Sequence, residues 1–88
     1  MPEIRVAERF QREYSELPEN IQRKVDKAIR LLAGNVRHPS LQTKQVQGAP
    51  GVNEARVDQQ YRMTYERLVG DILQLRVVGL HDKVLKEP

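Results

Sequence analysis

The sequence predicts an α+β domain, with two N-terminal helices packed on one face of a small, mainly antiparallel sheet. Three observations predict it. Ile21, Val25, Ala28, Ile29 and Leu32 recur at helical spacing and form one continuous stripe. The stretch from Val52 to His81 reads as three strands in succession, each alternating apolar and polar residues over part of its length. Asp58-Gln59-Gln60 and Val69-Gly70-Asp71 separate those strands and suit tight hairpin loops.

The chain has 88 residues, enough for a single domain spanning 1–88 with one modest core. It is 39% hydrophobic and 31% charged, which fits a globular rather than a disordered chain. There is no cysteine, so disulfides and thiolate zinc sites are excluded. The two histidines stand outside any HExxH or HxH pattern, and we expect neither a metal nor another cofactor. Met1-Pro2-Glu3-Ile4 lacks the features of a signal peptide, and no apolar run is long enough to span a bilayer. A cytoplasmic protein without a membrane partner is the expectation. The net charge of +3 permits binding to a phosphate backbone without demanding it.

In chain order, Ile4 and Val6 alternate with Glu3 and Arg5 and predict a short strand. Ala7, Phe10, Tyr14 and Leu17 then fall at helical spacing. Pro18 breaks that helix and suits the first turn of the next, with Glu19 near its positive end. Gly34-Asn35 reads as a left-handed stop to the second helix. A connection follows, closed by the turn-forming Gly48-Ala49-Pro50-Gly51.

On the three long strands, alternation puts Ala55, Val57, Tyr61, Met63, Tyr65, Leu73, Leu75 and Val77 on one face, under the helical stripe. Arg56, Arg62 and Arg76 share the other face with Glu54, Thr64 and Glu66. That second face is expected to be open to solvent. A hairpin closed at Gly70-Asp71 sets roughly Tyr65 opposite Ile72 and brings Arg62 toward Arg76. His81 then comes within reach only if the chain curls back after Gly79. The residues from His81 to Pro88 read as a short tail.

This layout resembles the RelE/ParE superfamily of toxins from bacterial toxin–antitoxin pairs. The resemblance spans nearly the whole chain. Its most specific pieces are Tyr61-Arg62-Met63-Thr64-Tyr65 and Val78-Gly79-Leu80-His81-Asp82. It implies a toxin restrained by a cognate antitoxin, and either of two activities: metal-independent cleavage of mRNA on the ribosome, or poisoning of DNA gyrase. Arg62 matches the phosphate-binding arginine of the family's nucleases, and His81 matches a catalytic histidine of some of them. Arg56 falls where many members are basic, and Glu54 is the candidate base to partner His81. Arg76, Lys83 and Lys44 are candidate substrate-binding cations.

The three arginines on one face favour the mRNA nuclease as the first reading; two departures favour the alternative, a binding module without catalysis, directed at gyrase or at protein partners. Val84 and Leu85 stand where family nucleases often carry a base-stacking aromatic, and Glu54 interrupts a lysine pair.

Overall fold

The computed structural model describes all 88 residues. Strand β1 (Glu3–Val6) leads into helix α1 (Glu8–Ser15) and helix α2 (Glu19–Gly34). A short 3-10 turn (Pro39–Leu41) precedes strands β2 (Lys44–Gln45), β3 (Val52–Arg56), β4 (Tyr61–Leu68) and β5 (Ile72–Leu80), and helix α3 (His81–Lys86) follows. The sheet order is β1-β5-β4-β3-β2. Only β1 and β5 run parallel; the other neighbours are antiparallel. The predicted fold class is the one observed.

Pro18 precedes α2, and its carbonyl accepts from the amides of Ile21 and Gln22, both at 2.9 Å. The exit from α2 differs from expectation. Asn35 is extended (φ −163°) rather than left-handed, and its side-chain oxygen accepts from the Arg37 amide at 3.0 Å. That local bond stops the helix, as asparagine side chains do when they compete with the helical ladder. At the β4–β5 hairpin the left-handed positions are Gly70 (φ 91°) and Asp71 (φ 58°), where glycine removes the steric penalty.

The α2 stripe covers the sheet as predicted. Ile21, Val25, Ala28 and Leu32 are buried in one cluster with Phe10, Ala55, Met63, Tyr65, Leu73 and Leu75, and Ile29 packs on it partly exposed.

Val77 does not join that cluster; Val78 does. The cause is a β-bulge. Thr64 pairs with Val77 but Tyr65 pairs with Leu75, so Arg76 is an extra residue on β5. The insertion shifts the alternation by one position, so Val77 faces away from α2.

The opposite face is also less open than its alternation predicts. The predicted tail is α3, which packs back on β4 and β5 with Val84 fully buried. Val46, Val52, Thr64 and Val77 are buried outside the main cluster, and Thr64 and Val77 are paired beneath α3. Thr64 donates its hydroxyl to the Pro88 oxygen at 3.0 Å.

Candidate functional site

Strand register places the two principal arginines side by side. Arg56 on β3 pairs with Arg62 on β4, and Arg62 pairs with Gly79 on β5. Directly opposed residues share a face, so both arginines start from the side of the sheet that carries α3. Gly79 is where α3 comes close: a Cβ there would lie 3.7 Å from Val84 Cγ2. Two residues further on, the His81 amide donates to the Gln60 carbonyl at 2.8 Å. That bond ties the start of α3 to the β3–β4 turn. The backbone at His81 therefore stands beside the arginine pair, at the same end of the sheet. His81 is half-buried, and its Nδ1 is buried without a hydrogen-bond partner. A shallow hollow beside it is lined by Gln60, Leu80, His81, Asp82, Lys83 and Lys86.

The β3–β4 turn is organised by Asp58. Its Oδ1 accepts from the amides of Gln60 (2.8 Å) and Tyr61 (2.7 Å), while its Oδ2 pairs with Lys24 of α2 at 3.2 Å. Burial by itself pushes the Asp58 carboxyl up; the amide donors of Tyr61 and Gln60 and the Lys24 charge outweigh it and hold the group below the ordinary aspartate value. The main-chain carbonyl of Asp58 serves the two arginines, and Arg56, Asp58 and Lys24 line one hollow against α2. That carbonyl accepts from Arg56 Nε at 3.3 Å and from Arg62 Nη1, which also donates to the Tyr61 carbonyl at 2.9 Å. Neither arginine has a carboxylate within salt-bridge distance.

The other candidates separate. Lys83 lines the His81 hollow. Arg76 stands at the bulge, donating to Glu66 at 3.0 Å and to the Pro88 oxygen at 3.1 Å. The expected approach of Arg62 to Arg76 is not made, because Arg62 is opposite Gly79. Glu54 is 3% exposed, paired with Lys44 across β2 at 3.6 Å, and has its Oε2 unpartnered. Glu54 and Lys44 line a different hollow with Leu85, and no hydrogen bond joins Glu54 to His81. No three His, Asp or Glu side chains converge as metal ligands.

Sequence reasoning missed Lys86 and Asp58. Lys86 looked like part of a tail. Asp58 carried a signal, since aspartate beginning a turn accepts from the amides two and three residues on, but its carbonyl's role depends on the register.

A small sheet with two helices on one face, a third on the other, and two arginines opposed next to the β3–β4 turn defines a class of compact α+β protein. No protein-family model matches the sequence, and no curated protein matches it at the sequence level. Solved structures do match. YafQ from E. coli strain BL21(DE3) superposes with a TM-score of 0.78 at 16% identity, over 96% of this chain and 98% of that one. The E. coli DinJ-YafQ toxin-antitoxin complex gives 0.77 at 17% identity, over 94% and 96%. The YoeB/ParE toxin from Agrobacterium tumefaciens gives 0.76 at 14% identity, over 90% and 98%. The chain has the fold of the RelE/ParE-like toxins.

Proposed function

We propose that this chain is the toxin of a toxin–antitoxin pair and a metal-independent endoribonuclease that cuts mRNA on the ribosome. One observation carries the reading: Arg56 and Arg62 are paired across β3 and β4, free of carboxylates, beside the strand end that delivers His81. Cleavage of this type uses the ribose 2′-hydroxyl as nucleophile on the adjacent phosphate. The guanidinium groups match phosphate oxygens in planar, forked geometry and offset the charge gathered in the phosphorane, often the largest catalytic term. His81 serves as acid or base, a role imidazole fills near neutral pH. Lys83 and Lys86 extend the cationic surface beyond His81. Arg76 and the Lys44–Glu54 pair hold the sheet face together and stand outside the chemistry.

The likeness to YafQ and RelE folds, several of them solved with antitoxins, supports a cognate antitoxin as partner. Action on the ribosome implies a cytoplasmic protein, and no helix is long and apolar enough to cross a membrane.

The assay is cleavage of a defined message on programmed ribosomes with EDTA present. Arg62→Ala abolishes cutting at every pH. His81→Gln abolishes it or erases its pH dependence near neutrality, while ribosome binding persists. Mutants that cut as well as the wild type refute the site.

One observation favours the rival, a binding module acting on gyrase or another protein. Val84 is buried against the sheet and α3 carries no aromatic, so α3 offers no ring for a base to stack on. A wild-type protein that never cuts, but captures gyrase, selects that reading.

A further inference from the structure

Two arginines directly opposed on neighbouring strands repel one another, and a nearby aspartate ordinarily forms a salt bridge with one of them. Here the carboxylate of Asp58 does neither arginine that service. Both its oxygens are engaged elsewhere, Oδ1 by the Gln60 and Tyr61 amides and Oδ2 by Lys24. What the arginines receive is the Asp58 carbonyl, a neutral acceptor shared between Arg56 Nε and Arg62 Nη1. A shared carbonyl holds two guanidinium groups in place without cancelling their charge. A carboxylate in the same position would compete with a phosphate for both.

We propose that Asp58 is the positioning residue of a two-arginine phosphate cradle. Its side chain fixes the turn and is held toward α2 by Lys24, and this aims its carbonyl to gather Arg56 and Arg62, still fully charged, for one phosphodiester group. The inference rests on the phosphodiester reading above and adds to it the residues that set the geometry. Asp58 touches no substrate; it acts through the arginines. Lys24, which lines one hollow with Arg56 and Asp58, holds the carboxylate by its Oδ2 and keeps it from turning onto the arginines.

The experiment follows the arginine side-chain Nε signals by NMR in the folded protein, and titrates inorganic pyrophosphate as the probe. In the wild type, pyrophosphate shifts the Arg56 and Arg62 signals together. Asp58→Ala moves both signals in the free protein and weakens pyrophosphate binding about tenfold, equivalent to about 1.4 kcal/mol. Asp58→Asn keeps an oxygen for the two amides and restores the signals and most of the binding. Lys24→Met, which leaves the turn residues intact, also weakens binding because the carboxylate is released toward the arginines. A folded Asp58→Ala protein with wild-type arginine signals and affinity overturns the proposal. So does a wild type whose arginines ignore pyrophosphate. If Asp58→Ala fails to fold, the Lys24→Met result decides, and unchanged binding there is equally fatal. Message cleavage is scored in parallel. Arginines that respond as stated in a protein that never cuts refute the nuclease reading and leave the cradle standing; cleavage with arginines indifferent to Asp58 does the reverse.

Discussion

Leu75 offers the sharpest test of the packing. It is fully buried on β5, in the cluster formed by Phe10, Val25, Leu32 and Met63. Leu75→Ala removes an isopropyl group from that cluster. At ~0.8 kcal/mol per buried methylene-sized group, the transfer loss is about 2.4 kcal/mol. The sheet on one side and the helices on the other restrict collapse, and a residual void of ~50 Å³ adds about 1.2 kcal/mol. The expected loss is therefore about 3–4 kcal/mol, a large share of the roughly 4–13 kcal/mol available to a chain of this size. Urea denaturation followed by far-ultraviolet circular dichroism measures it. With an m-value of about 1.5 kcal/mol/M, the midpoint falls by about 2 M. Ile29→Ala is the internal contrast. Ile29 is only partly buried, beside Val6, Phe10 and Tyr14 on the outer flank, so its loss is less than half as large. Equal losses at the two positions, or a loss below about 1 kcal/mol at Leu75, would show that the assigned core is wrong.

Other outcomes follow from the same contacts. Val84→Ala costs about 2 kcal/mol, from two methyl-sized groups and the void they leave, and increases hydrogen exchange at β5 amides near Gly79; unaltered exchange there refutes the docking of α3. The folded-state depression of the Asp58 carboxyl means that its stabilisation is complete above the ordinary value of 3.8 and is lost as pH falls through the lower folded value. Asp58→Asn flattens that acid limb in denaturation curves taken from pH 2 to 6, and an unchanged limb rejects the assignment. Tyr14 donates its hydroxyl to Asp26 at 2.7 Å, and this bond, with burial and the Asp26 charge, raises its hydroxyl above 10.0. Its stabilisation is complete below that value and is lost as pH rises through the folded one. Tyr14→Phe lessens the alkaline loss, part of which remains through Tyr65, raised chiefly by burial; equal alkaline curves exclude the bond.

Much of the fold could be read from periodicity because the relevant patterns are long. The α2 stripe from Ile21 to Leu32 repeats over about three turns, and Ala55 to Val57, Tyr61 to Glu66 and Leu73 to Arg76 alternate cleanly. Periodicity failed where a single residue changes the phase. Leu75-Arg76-Val77-Val78 offers an apolar residue in either phase, so nothing in the local sequence marks Arg76 as the bulge. Arg62 was misplaced relative to Arg76 mainly at the hairpin, where Leu68 rather than Tyr65 is opposite Ile72; the bulge adds one residue more. Helix α3 has six residues, too few for a helical period to emerge, and its one buried apolar anchor is Val84. At the site, Arg56 and Arg62 came to one end of the sheet because their strand positions were readable, whereas the position of His81 depended on α3, which read as a tail. Glu54 did not come to that end, because its neighbour Lys44 lies on a two-residue edge strand that no pattern announces.

The parallel pairing of β1 with β5 sets an order of assembly. Glu3 pairs with Ile72 and Val6 with Leu75, so the first strand synthesised waits for the last before its hydrogen bonds close. Contacts this distant in the chain form slowly, because a long loop must be closed before they are rewarded. The helices can coil as they emerge, but Gly79 and His81 stand at the end of β5, after the other four strands. The fold thus leaves the proposed active end unassembled until β5 has been made and has closed on β1.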